Sequence, residues 1–125
     1  MPSKREELKE RTKRFALRVV RMFRALPHVP VAQVLGKQLL RSATSVAANY
    51  RATGRSRSRA EFVAKLGIVV EEVDETVFWL EMLIDSETVR GDRASDLLNE
   101  AKELAAVFAA AYRTARGKGR EQMTT

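Results

Sequence analysis

Apolar residues recur at steps of three and four over four long stretches of this chain, and each stretch is bounded by residues that start or stop a helix. Leu8, Phe15, Val19, Met22 and Leu26 form the first stripe. Ser3 and Glu6 have capping-box spacing at its start, and Pro27 and Pro30 close it, because a proline ring cannot continue the helical hydrogen-bond ladder. The second stripe is Leu35, Leu39, Val46 and Tyr50, with Gly54 as its C-terminal stop. A second capping box, Ser58 to Glu61, opens the third, which runs through Phe62, Leu66, Val69, Val73, Val77, Leu80 and Ile84. The fourth follows an Arg-Gly turn and carries Leu97, Ala101, Leu104, Phe108, Ala111 and Ala115. The pattern predicts helices over residues 4–26, 31–53, 59–85 and 93–115, a bundle domain over 1–116, and a flexible basic tail over 117–125 marked by Gly117 and Gly119. Asn-Gly and Asp-Gly hairpin turns are absent and no repeat of solenoid length is visible. Four amphipathic helices on short loops make an all-α, up-down-up-down four-helix bundle the economical fold.

The third helix has more apolar surface than one core needs. At about 100° per residue, Phe62, Leu66, Val73 and Val77 cluster on one side, while Ile68, Trp79 and Met82 project almost opposite, beside Glu72 and Glu75. Scattered exposed apolar residues are ordinary. A tryptophan, an isoleucine three turns before it and a methionine one turn after it exceed scatter, so Ile68, Trp79 and Met82 are expected at a subunit interface of a homo-oligomer.

The 125 residues contain 23 Lys and Arg against 16 Asp and Glu, a net charge of +7, with one histidine and no cysteine. That composition excludes disulfides, thiolate metal sites and cysteine nucleophiles. It leaves His28, in a loop between prolines, without a partner for hydrolase or zinc chemistry. No apolar run reaches membrane-spanning length and the charged N-terminus is unlike a signal peptide, so a soluble, cytoplasmic protein with no membrane association is expected. The charge is unevenly placed. Residues 1–57 hold fourteen basic and three acidic side chains, a net of +11, and the remainder nine and thirteen, a net of −4. The two halves can attract each other, or the first can meet an anionic partner.

Two features carry the second possibility. Arg11, Arg14, Arg18 and Arg21 fall along one side of the first helix for about 15 Å, a row able to track phosphates with bidentate, salt-sensitive contacts. The competing readings are pairing with carboxylates of the third helix, such as Glu71 and Glu75, and plain solvation. The turn RATGRSRSR gathers Arg51, Arg55, Arg57 and Arg59 among small residues at a helix N-terminus, where a solvated loop is the alternative. No aromatic is interleaved, so binding here would be directed at the backbone and weakly selective for sequence. The acidic group Glu71, Glu72, Asp74 and Glu75 lacks the histidines of a di-iron bundle and the cleft of a glycosidase, and surface salt bridging is the expected role. Ser42, Ser45 and Asn49 have no base nearby and suit hydrogen bonding between packed helices. Neither a catalytic set, nor a metal site, nor a cofactor is expected.

The segment from Gly36 to Asp85 reads Gln38, Arg41, Ser42, Ala43, Ser45, Asn49, Tyr50, then Ser58, Glu61, Phe62, Lys65, Leu66, Gly67, Glu71, Glu72, Asp74, Glu75, Trp79 and Glu81 at fixed spacings. It resembles the bacterial four-helix-bundle family whose founding members are encoded by intervening sequences in large-subunit ribosomal RNA genes. The resemblance implies a four-helix bundle that assembles as a homo-oligomer, typically a pentamer, with no established biochemical activity. A structurally similar relative is the accessory variability protein of diversity-generating retroelements, a basic pentamer that binds nucleic acid and a reverse transcriptase. Many members carry an N-I-A-E-G turn where this chain has Asn49, Tyr50, Arg51, Ala52, Thr53 and Gly54, so whatever that glutamate does is not done by Ala52. The combined expectation is a non-enzymatic, oligomeric bundle binding RNA or DNA, or a nucleic-acid-handling protein, through basic side chains. The alternative is a scaffold for an acidic protein.

Overall fold

The computed structural model describes residues 1–124, with side chains through Gly117, and contains four helices: α1 (Lys4–Arg24), α2 (Pro30–Thr53), α3 (Arg59–Asp85) and α4 (Asp92–Thr124). No strand occurs among the described residues. Antiparallel contacts join neighbours in sequence: Arg5 of α1 meets Thr53 of α2, Ser42 of α2 meets Thr76 of α3, and Gly67 of α3 lies against Tyr112 of α4. Helix α1 also approaches α4, though less closely than any other neighbouring pair. Phe15, Leu39, Leu66, Leu80, Leu97, Leu104 and Phe108 are fully buried between the four helices, and Tyr50 packs its ring 5.1 Å from that of Phe108. Burying side chains of this size contributes about 1.5–3 kcal/mol each, so the stripes that define the helices also hold them together.

Local chemistry sets the helix ends. Ser3 and Ser58 cap α1 and α3, each hydroxyl accepting from a backbone N–H three residues on, Glu6 and Glu61, at 3.1 Å. Glu61 turns to Lys65, 2.9 Å away on the next turn, and that contact holds its carboxyl below the usual range. Helix α1 stops at Arg24, two residues short of the expected 26, since the residue before a proline is pushed out of the helical region. Pro30 is itself the first residue of α2, one earlier than expected, where its missing N–H costs nothing. Gly54 ends α2 with a right-handed φ of −66°, so the left-handed stop expected of a glycine is not used. Its value is space, because a Cβ there would collide with the Arg5 guanidinium. Before α4, Gly91 takes φ +96° and Glu87 takes +58°, the only non-glycine residue with positive φ among those described. Helix α4 starts one residue earlier than expected and continues beyond Ala115 to Thr124, because the segment past Gly117 is made largely of good helix formers and contains no proline. The side chains of the expected tail from residue 118 lie outside the described residues.

Ser42 and Thr76 join α2 to α3 inside the bundle. Their hydroxyls are 2.9 Å apart, and each also lies within reach of a carbonyl of its own helix, Leu39 for Ser42 at 3.2 Å and Glu72 for Thr76 at 2.8 Å. Asn49 donates to the Ser45 carbonyl and hydroxyl, both at 2.9 Å. The interhelical role expected for these polar residues therefore falls to Ser42 alone, while Ser45 and Asn49 bond within α2.

Candidate nucleic-acid interface

The row of arginines on α1 is divided by what faces it. Arg11 points at α4 and donates from Nε and Nη2 to the two carboxylate oxygens of Glu100, at 2.8 and 2.7 Å, with Glu103 at 2.9 Å from the same Nη2. This fork, about a third exposed on the arginine side, is closed within the chain, and Arg11 is withdrawn from any phosphate-binding row. Hydrogen bonding from Arg11 is the main cause that holds the Glu100 carboxyl below its usual range, opposed by burial and helped by the charges of Arg11 and Arg18. Arg14 and Arg21 are exposed and Arg18 is half-buried in the α1–α4 seam. The carboxylates that pair with Arg11 come from α4. Glu72 and Glu75 of α3 are taken by Arg41 of α2, at 3.3 and 3.0 Å. Burial, then the neighbouring Glu75 charge, raises the Glu72 carboxyl against the pull of Arg41.

The turn arginines stand at the other end of α1. Arg51, Arg55, Arg57 and Arg59 are all exposed, and the antiparallel packing places the first two beside the N-terminal half of α1. A groove of about 480 Å³ runs between α1 and α2, floored by Ala16, Ala47 and Ala48 and edged by Lys9, Lys13 and Arg51, with Glu10 on its rim. It shares Lys9 and Arg51 with a second depression of about 320 Å³ that reaches Arg5, Gly54 and Arg55. Arg5 is fixed there: its Nη2 donates to Thr53 Oγ1 at 2.9 Å, and its guanidinium lies 5.5 Å from the centre of the Tyr50 ring. Five cations, Arg5, Lys9, Lys13, Arg51 and Arg55, thus meet two carboxylates, Glu6 and Glu10, of which Glu6 sits 3.9 Å from Lys9. Small residues on the floor let a chain approach the helix backbones.

Arg5, Lys9 and Lys13 were missed as site residues in the sequence because they do not share a face with the arginine row. Their signal was the alanine-rich side of α2 at Ala47 and Ala48, which leaves room for a groove against α1. Conversely, the helix-one row and the turn do not merge: Arg18 and Arg21 line a cleft against α4, and of the turn arginines Arg51 and Arg55 line the groove and the depression beside it.

On α3, Ile68 and Met82 are exposed at 43% and 38%, and Phe78, which the wheel did not single out, is more exposed at 50%. Trp79 is only partly exposed and packs against the core, edge to face with Phe78 at 4.9 Å between ring centres. Its Nε1 is buried without a hydrogen-bond partner among the described residues. The outward apolar patch of α3 is thus Ile68, Phe78 and Met82, with Trp79 as its base. No group of three or more His, Asp or Glu side chains able to hold a metal occurs among the described residues, and none of their helices is long and apolar enough to cross a membrane.

A four-helix bundle with a basic groove between its first two helices is the class that fold and surface define. The 23S rRNA-intervening sequence protein family matches residues 4–110, and the chain belongs to that family. It is also similar to a solved protein of unknown function from the S23 ribosomal protein family of Bacteroides thetaiotaomicron VPI-5482, with 32% identity, a TM-score of 0.81, and coverage of 89% of this chain and 99% of that one. A comparison with curated proteins finds no match.

Proposed function

We propose that this protein is a non-enzymatic, homo-oligomeric bundle that binds nucleic acid, RNA or a nucleoprotein, through contacts to backbone phosphates in the α1–α2 groove and the adjoining turn. The observation that carries the reading is the convergence of Arg5, Lys9, Lys13, Arg51 and Arg55 on one small-floored groove, with Arg57 and Arg59 exposed beyond it. Cations in such a groove displace condensed counterions from a strand, so affinity falls steeply with salt. The described residues that line the groove include no aromatic side chain, which favours shape and charge over base reading. Self-association would use Ile68, Phe78 and Met82, and several weak grooves on one assembly would gain avidity from effective concentration. A pentamer is the subunit number that the family resemblance suggests.

Filter binding of a generic RNA tests this. The double variant Arg51→Glu/Arg55→Glu should lose at least tenfold in affinity and flatten the salt dependence while keeping its helical circular dichroism. Arg14→Glu/Arg18→Glu should lose less. Unchanged RNA affinity in the first variant, with a pulled-down acidic protein lost, would move the reading to the scaffold alternative, which Arg11 favours by showing how an arginine on α1 takes two carboxylates of another helix.

A further inference from the structure

The α1–α4 seam has two halves of opposite character. In the half nearer the N-terminus of α1, Arg11 faces Glu100 and Glu103 and the ion pair closes the gap. Two turns along, the same helix presents Arg18 and Arg21, but α4 answers with Arg93 and Asp96, and a cleft of about 380 Å³ lies between them with Leu97 in its lining. A second depression of about 370 Å³ shares Arg93 and continues past Arg90 over Met22, Leu26 and Val89. None of Arg18, Arg21, Arg90 and Arg93 has an ion-pair partner among the described residues.

We propose that this cleft is a binding site, separate from the α1–α2 groove, for a phosphate monoester carrying a small apolar or aromatic group, of which a nucleoside monophosphate is the simplest case. Each part of such a molecule has a counterpart. The dianionic phosphate takes the place that Glu100 holds beside Arg11, between Arg18, Arg21 and Arg93, whose planar forks suit its oxygens. Ala25, Pro27 and Val89, exposed or partly so, line the second depression above the buried Met22, Leu26 and Ala94 and give a flat ring a surface to lie on. Asp96 would repel an anion placed beside it but accepts hydrogen bonds, so it suits a sugar hydroxyl on the neutral side of the ligand. The volume is at the lower end of small-molecule sites, about 300–1,000 Å³, the size of a single nucleotide. A bound anion also offsets the like charge of the arginines that line the cleft from two helices.

The test is titration calorimetry with adenosine 5′-monophosphate, adenosine and inorganic phosphate on the full chain. The monophosphate should bind saturably, at least tenfold more tightly than either fragment, and Arg93→Gln should weaken it at least tenfold while leaving RNA binding in the α1–α2 groove unchanged. Lys13→Gln should do the reverse, so failure of this site and failure of the RNA-binding reading are told apart. A 5′-phosphorylated tetranucleotide compared with its 5′-hydroxyl form separates the sources: a preference for the phosphorylated strand that Arg93→Gln abolishes assigns the site to a strand end, and stronger binding of the free nucleotide assigns it to a metabolite. The proposal is overturned by absence of saturation up to about 1 mM, which corresponds to only about −4 kcal/mol, by equal binding of inorganic phosphate, or by an Arg93→Gln variant that binds the monophosphate as well as the parent.

Discussion

Replacing Glu100 by glutamine probes the closed half of the α1–α4 seam. The carboxylate accepts two hydrogen bonds from Arg11, at 2.8 and 2.7 Å, and its side chain is 19% exposed while that of Arg11 is 31% exposed. Fully exposed pairs contribute about 0–1 kcal/mol, and breaking a fully buried pair costs about 3–5 kcal/mol. A half-covered bidentate pair lies between, at about 1.5 kcal/mol, since Glu103 is 69% exposed and replaces little of what is lost. With an unfolding entropy of about 2.1 cal/mol/K per residue over a chain of this length, that loss lowers the melting temperature by about 6 °C. The pH dependence has a definite sign. The folded carboxyl lies below its unfolded value of about 4.3, so its contribution is fully present above that pH and disappears as pH falls through the folded value. Thermal melts of parent and Glu100→Gln at fixed protein concentration should therefore differ at pH 7 and converge as acid titrates the folded carboxylate. A difference below about 0.3 kcal/mol at pH 7, or one that persists unchanged in acid, would show that the ion pair does not hold this seam.

Glu72→Gln should behave oppositely: burial and Glu75 raise the folded carboxyl, so its ionised form loses stability as pH rises through that value, and the variant should be as stable as the parent or more so in neutral-pH melts. Thr76→Val should cost about 1–2 kcal/mol in urea unfolding by leaving the Ser42 hydroxyl with one partner fewer, and adding Ser42→Ala should cost less than the sum of the two changes. Gly36→Ala places a methyl against Leu26 and 3.0 Å from Phe23 Cδ2, so overpacking of about 1–3 kcal/mol should outweigh the helix-propensity gain of about 1 kcal/mol and lower the melting point. Phe78→Glu should reduce the particle mass in light scattering if the α3 patch joins subunits, and an unchanged mass would remove Phe78 from that role.

Helix number, order and buried stripes were legible because each helix has one apolar face and strong punctuation; Phe15, Leu39, Leu66 and Phe108 all lie where the period put them. Boundaries moved where proline chemistry, rather than periodicity, decides, as at Arg24 and Pro30. The basic surface was legible as charge but not as shape. A helical wheel ranks residues on one helix, whereas a groove belongs to two, so Lys9 and Arg51 become neighbours only when α1 and α2 are laid antiparallel. The fate of Arg11 depended on which helix supplied its carboxylates, and the thirteen acidic residues beyond Arg57 offered several choices. Trp79 misled the wheel because its bulk reaches around the helix to the core, leaving Phe78 outermost.

The chain has one tryptophan, and it sits on α3, outside the lining of either basic surface. Its indole is half sheltered beside Phe78 with a buried N–H, so its intrinsic emission reports solvent entry at α3. Ligands that quench nothing there leave the signal undisturbed, and one spectrum therefore follows unfolding while occupancy of the cationic surfaces is varied freely.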